Sequence, residues 1–272
     1  MSEPDLRRLS LNHATTQNWG MAETIDGCAQ REIAWIGLWR HKVAEIGLAA
    51  TAQLMRSAGV RASSLCRGGF FPAATHAEWL ARIDDNRRAI DEAAELGAPV
   101  LVLVCGPALD RDLDAARGQV EEGICAILPY AAERSVRLAI EPLHPMYAGD
   151  RSVVVTLAQA NELAEKIASP FVSVAVDVYH VWWDPLVYQE IARAGGRVVG
   201  FHVSDWIVPP PDHLLGRGVM GDGVIELRRL REAVDAAGYA GPIEVEIFNQ
   251  RIWDMPGAEV LALIKERYLT YC

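Results

Sequence analysis

The sequence predicts a closed α/β barrel, the (β/α)8 TIM barrel fold class, and three observations carry that expectation. Short apolar runs alternate with longer amphipathic runs along the chain, which is the rhythm of parallel strands joined by crossover helices. Eight such apolar runs occur, and eight is the number at which a sheet of this kind closes. The length, 272 residues with 51% hydrophobic content, suits one core of that size. The competing architecture is an open doubly wound sheet. No GxGxxG turn follows the first apolar run and no P-loop is present, which argues against it.

The strands read in order at 6–13, 32–39, 60–66, 99–105, 136–142, 171–178, 197–204 and 242–248. "PVLVLVC" (99–105) and "FVSVAVDV" (171–178) are short valine-rich runs of strand length. "VRLAIEP" stops at Glu141 and then Pro142, which cannot continue a sheet ladder. Between strands, 76–97 places Leu80, Ile83, Ile90 and Ala94 on one stripe and ends at a glycine, the pattern of an amphipathic helix. The stretches 157–168 and 226–238 follow the same rule, and Glu226 suits the positive end of the second of these helices. Connections are short except for 205–223, rich in Pro and Gly, after the seventh strand. No repeat, low-complexity tract or linker interrupts the chain, so a single domain over 1–272 is expected.

Composition narrows the function. A net charge of −10 and a pI near 5.2 oppose binding to a phosphate backbone, so no nucleic-acid partner is expected. The five cysteines are scattered without a CxxC pair, so neither a disulfide framework nor a zinc knuckle is indicated. No apolar run approaches the length of a membrane span, and the start lacks the apolar core of a signal peptide. The expectation is a soluble cytoplasmic protein with no membrane partner.

In a parallel barrel the C-terminal strand ends build the site. The fifth strand ends in Glu141, the sixth in Asp177 with His180 three residues on, the seventh near His202, and the eighth holds Glu246. Residues two apart share a strand face. Counting back from Asp177 gives Ala175 and Ser173, from His202 gives Gly200 and Val198, and from Glu141 gives Ala139. The opposite parity holds Val172, Val174, Val176, Val199, Phe201, Leu138 and Ile140, which suit the helix-facing side. The polar set therefore points inward. Glu244 points inward too, one layer below Glu246, and needs a cationic or hydrogen-bonded partner that the sequence does not name. Converging carboxylates repel one another, and a divalent cation relieves that repulsion. Oxygen-rich ligation with one nitrogen suits Mn²⁺ first, with Mg²⁺, Co²⁺ or Zn²⁺ able to replace it.

These residues, in the pattern "IEP … VDVYH … FHVSD … R … GDG … EVEIF" from Ile140 to Phe248, resemble the xylose isomerase-like TIM barrel superfamily of sugar (phosphate) isomerases and epimerases, in particular its ketose 3-epimerase and inosose-processing branches. The resemblance implies one divalent metal held by Glu141, Asp177, His202 and Glu246, with Glu141 and Glu246 as the acid/base pair. It implies that His180 and Arg217 hold substrate oxygens. His13 and Arg67 follow the first and third strands on the same face and are expected to line the pocket. Ketose epimerases carry a second glutamate six residues after the first, where this chain has Tyr147. Only Asp205 stands near His202 for the paired metal motif of true xylose isomerases. Trp39, Trp182, Trp183 and Trp206 lie at or near strand ends, for sugar stacking or rim packing, and His144 sits on the loop after Glu141.

The expected reaction is isomerisation or epimerisation of a keto sugar or related polyol through an enediolate. The alternative is a lyase on the same scaffold, dehydrating a keto-inositol or eliminating from a 3-keto glycoside. A DNA-repair endonuclease needs more ligands and a basic groove, and a non-catalytic sugar binder leaves two acid/base carboxylates without a task. The partner is a small carbohydrate, expected unphosphorylated because no glycine-rich phosphate cradle follows the seventh and eighth strands. The resemblance allows a homodimer or homotetramer. The segment 207–223 is expected to be a lid that carries Arg217, with glycines at 216, 218, 221 and 223 adopting unusual backbone angles.

Overall fold

In the computed structural model, which describes residues 6–272, eight parallel strands close into a barrel. They are β1 (Leu9–Asn12), β2 (Trp35–Trp39), β3 (Arg61–Gly69), β4 (Val100–Val104), β5 (Arg137–Ile140), β6 (Val172–Asp177), β7 (Val198–Val203) and β10 (Ile243–Val245). β8 (Asp205–Trp206) and β9 (Arg217–Gly218) form a separate antiparallel ribbon above the rim. β10 pairs with β7 on one side and β1 on the other, and that last pairing closes the ring. Every expected strand has a counterpart. β3 runs three residues past its expected end at Cys66, to Gly69, pairing with β4 through a register shift between Cys66 and Gly68.

The helices begin where their capping chemistry dictates. Thr75 accepts a hydrogen bond from the Glu78 amide, and Glu78 accepts one back from the Thr75 amide, a reciprocal cap that starts His76–Glu95. Thr156 caps Leu157–Ile167 by accepting from the Gln159 amide, and Leu227–Ala236 follows Glu226.

Two apolar layers result. Leu138, Ile140, Val172, Val174, Val176 and Phe201 belong to the large core between strands and helices, as their parity predicts. A small inner cluster of Val100, Val102, Ala139, Ala175 and Val199 fills the barrel. Here the parity count is corrected: Val198 belongs to the outer core and Val199 to the inner cluster. The register between β6 and β7 shifts, Val174 facing Val198 and Ala175 facing Gly200, so one extra residue in β7 reverses the faces before Gly200. Above that point the expected parity resumes and His202 points inward.

Candidate active site

Three strand tips bring Glu141, Asp177 and His202 together. All three are buried, and each offers a ligand atom within 4.8 Å of the others. Asp177 closes β6, and its Oδ1 accepts from the Tyr179 amide at 2.9 Å, starting the one-turn helix Val178–Val181 that carries His180. His202 Nδ1 lies 2.9 Å from Glu141 Oε1, yet neither atom makes an aligned hydrogen bond. Burial opposes a charged His202, but Glu244 first, then Glu141 and Glu246, outweigh it and hold the imidazole well above its ordinary range.

The floor beneath this group answers what Glu244 faces. Its Oε2 accepts from Asn12 Nδ2 at 3.2 Å and lies 3.8 Å from His202 Nε2. Asn12 is itself held, because its Oδ1 accepts from the Ala14 amide and from Trp39 Nε1 at 2.8 Å. Room for the carboxylate comes from Gly37 on β2, where a Cβ would stand 2.1 Å from Glu244 Oε2. Thus Nδ1 of His202 faces the carboxylate cluster while Nε2 faces the floor, an arrangement that orients an imidazole toward a metal.

Glu246 takes a different position from the other three expected ligands. Its Oε2 accepts from Arg217 Nη1 at 3.0 Å, and the same nitrogen donates to Asp177 Oδ2 at 2.9 Å. The guanidinium lies over the rings of Tyr179 and Phe248, 4.5 and 5.0 Å from their centroids. Its Nη2 is 3.2 Å from His180 Nε2. Arginine has no acceptor, so His180 Nε2 must accept and its proton sits on Nδ1. Burial, reinforced by Arg217, pushes the His180 imidazole down to about 3, in keeping with a neutral ring. Burial opposes an ionised Asp177 as well, but Arg217 and the imidazoles outweigh it, and its carboxyl lies below the usual range. Glu246 moves the other way: burial, with Asp177 and Glu141 nearby, raises its carboxyl despite Arg217.

The 207–216 segment folds over this group. The hydroxyls of Tyr147 and Tyr179 both donate to the His213 carbonyl, and Leu214 reaches the cavity below. Tyr147, standing where ketose epimerases carry a glutamate, therefore holds the lid. Asp205 is no ligand: it accepts from the amides of Trp206, Gly221 and Ile225 and fixes the lid's return. Of the four lid glycines only Gly221 has a positive φ, +90°. Gly216 is needed for a different reason, since a Cβ there would lie 2.2 Å from the Asp212 carbonyl oxygen.

A cavity of about 70 Å³ remains, lined among others by Glu141, His180, Arg217, Glu246 and Arg67. Trp39 lines it as well, whereas Trp206 packs against Tyr179, Trp182 and His144. His13 does not line the cavity. Its ring is buried behind β1, Nε2 lying 3.1 Å from the Trp19 carbonyl and 3.0 Å from Thr24 Oγ1. The sequence reading passed over Asn12, Cys66 and Arg151. Asn12 was within reach of it, because Ser10 and Asn12 alternate on β1 with the parity of an inward face. Gly37 inside a strand likewise signals a close approach. Arg151 carries no such signal.

The sequence matches the family model described as xylose isomerase-like TIM barrel over residues 24–267. The chain belongs to that family. Protein SMc04130 from Sinorhizobium meliloti 1021 superposes with a TM-score of 0.96 at 49% identity, over 98% of this chain and 99% of that one. The IolI protein with a bound zinc atom shares the fold, with a TM-score of 0.86 at 17% identity over 97% of each chain. Among curated sequences, L-ribulose-5-phosphate 3-epimerase UlaE of Salmonella paratyphi A is 24% identical over 217 residues, 78% of this chain and 72% of its own length. Sugar epimerases thus stand among the relatives of this xylose isomerase-like barrel. No helix among the described residues is long and apolar enough to cross a membrane.

Proposed function

We propose that this protein is a divalent-metal-dependent isomerase or epimerase of a small keto sugar or polyol. The convergence of Glu141, Asp177 and His202, with Glu141 Oε1 and both His202 ring nitrogens left without a hydrogen bond, carries the reading. The charge balance supports it. Four buried carboxyls, Glu141, Asp177, Glu244 and Glu246, surround one guanidinium and one imidazole, an excess of negative charge that a divalent cation offsets. Two carboxylates and one imidazole suit Mn²⁺ first, and Zn²⁺, which the IolI relative binds, is compatible with the same donors. Glu246, held by Arg217 through Oε2, keeps its other oxygen for the fourth position.

A divalent cation there supplies Lewis acidity toward a carbonyl and its neighbouring hydroxyl. The remaining work falls to the chain. Glu141 and Glu246 reach the cavity from β5 and from just past β10, with β6 and β7 between them. One takes the proton from the carbon bearing the hydroxyl; the other returns it, on the opposite face for epimerisation or at the next carbon for isomerisation. The raised carboxyl of Glu246 suits a group that holds a proton near neutral pH. His180, accepting at Nε2, and Arg217, donating, hold hydroxyl and carbonyl oxygens, and the tyrosine-held lid keeps water out.

Mass spectrometry in D₂O with added Mn²⁺, across keto sugars, inososes and keto glycosides, tests the reading. Deuterium wash-in without loss of mass supports it. Loss of water or aglycone reassigns the protein as a lyase, and no exchange on any compound refutes proton transfer. Metal analysis after chelation and reloading tests the site itself. Asp177→Asn/His202→Ala is expected to lose stoichiometric Mn²⁺, and retention would refute the ligand set.

A further inference from the structure

The cavity adjoins a larger groove, of about 610 Å³, and Trp39, Cys66 and Arg67 line both. The groove is lined by Arg40, Arg67 and Arg82 and by two acids, Glu78 and Asp85. Arg67 stands at the end of β3 with its side chain exposed, and its guanidinium lies 3.9 Å from the centroid of the Phe70 ring. It has no ion-pair partner among the described residues. Arg151 lines the same cavity. Among the described residues its one ion-pair contact is with its exposed neighbour Asp150, at 3.6 Å, and its buried Nε makes no hydrogen bond. Of the other arginines, Arg217 is held by Asp177 and Glu246, and Arg40 pairs with Asp85 at 2.9 Å and with Glu92 at 2.6 Å. Both Arg67 and Arg151 line the cavity, and neither pairs with a carboxylate of its wall.

We propose that Arg67 and Arg151 form a subsite for an anionic group, a phosphate or a carboxylate, at the end of the substrate remote from the reacting carbon. The inference rests on the reading of the cavity as a substrate site, and it departs from the expectation of an unphosphorylated sugar. Glu141 and Glu246 line the cavity on its strand-tip side, with Asp177 and Glu244 buried close by, whereas Arg67 and Arg151 line its other edge. A keto sugar with an oxyanion at its far end has one favourable orientation in that field: the carbonyl end toward the floor and the anion between the arginines. Guanidinium forks recognise phosphate and carboxylate alike, so the shared chemistry is an oxyanion. Each charge-assisted contact to it is worth roughly ten- to a hundredfold in affinity.

Isothermal titration with inorganic phosphate at constant ionic strength reads the subsite without any turnover. The protein is expected to bind phosphate in the millimolar range. Arg67→Gln/Arg151→Gln is expected to weaken binding to the metal-free protein at least tenfold, and Arg193→Gln, on an outer helix, to leave it unchanged. Phosphate binding that survives the double arginine variant, or that is absent from the parent at 50-fold lower salt than the test buffer, overturns the subsite. A pentulose phosphate, a ketouronate of matching length and the neutral ketose then separate the two anion sources. Higher kcat/KM for either charged compound, lost in the arginine variant through KM, supports the proposal and names its source. Equal kcat/KM for all three, unaffected by the substitutions, refutes it. If no compound exchanges deuterium while phosphate binding stays arginine-dependent, the isomerase reading fails and the anion subsite stands.

Discussion

Replacing Gly37 with alanine tests whether Glu244 positions the His202 imidazole. The new Cβ lies 2.1 Å from Glu244 Oε2, 2.9 Å from its Cδ and 3.1 Å from Asn12 Nδ2. To regain ordinary contact the carboxylate must retreat by more than about 1 Å. That movement breaks its 3.2 Å hydrogen bond from Asn12 and its approach to His202 Nε2. Overpacking a filled interior costs about 1–3 kcal/mol, and losing a hydrogen bond to a charged group about 1.5–3 kcal/mol. Side-chain relaxation offsets part of both, so the expected loss is about 2–3 kcal/mol, a drop of roughly 4–12 °C in Tm for a chain of this size. Loosening the imidazole should also weaken Mn²⁺ binding about 10- to 100-fold. Urea unfolding of the metal-free protein and calorimetric titration with Mn²⁺ measure the two effects. Gly118→Ala is the control. Gly118 lies in the helix Leu113–Glu133 with no atom within 4 Å of the added Cβ, and the change should stabilise by about 0.5–1 kcal/mol. A Gly37→Ala protein that loses stability yet binds Mn²⁺ like the parent refutes the positioning role and leaves Glu244 as filling. Unchanged stability refutes the steric argument itself.

Glu141→Gln and Glu246→Gln each keep the shape of the side chain and remove a base, so turnover should fall about 10²–10⁴-fold. In an epimerase each variant should lose deuterium exchange from a different epimer, and two variants that exchange and convert like the parent would return both glutamates to structural roles. Arg217→Ala removes the group between Asp177 and Glu246, which should cost about 3–5 kcal/mol without metal, with part recovered at saturating Mn²⁺. Equal losses in urea unfolding with and without Mn²⁺ would show that charge compensation is not the cause. His13 supplies a pH test away from the cavity. Burial lowers its pKa from 6.5 to about 4, so the unfolded chain binds a proton below 6.5 that the folded one does not accept until about 4. Its contribution, roughly 3 kcal/mol, is full above 6.5 and is lost as the pH falls toward 4. His180 titrates in the same direction, so His13→Gln should flatten the acid limb of a stability–pH curve without abolishing it; an unaltered limb contradicts the assignment.

The strand order and the acid-rich site were legible in the sequence because both depend on local periodicity. A run such as "VRLAIEP" declares a strand and its end, and alternation by two sends Glu141, Asp177 and His202 inward before any tertiary contact is known. Even the need of Glu244 for a partner followed from its parity. The identity of that partner did not, because Asn12 is 232 residues away in sequence and meets it only when β1 pairs with β10. The same holds for the turning of Glu246 toward Arg217, for the lid held by Tyr147 and Tyr179, and for His13 packing behind β1 instead of facing the cavity. Even a one-residue shift between β6 and β7 was enough to exchange the faces of Val198 and Val199. Periodicity fixes which face a side chain takes within an unbroken element. Which distant group it meets there is decided by barrel closure and strand register, and these arise from contacts that no local stretch of sequence contains.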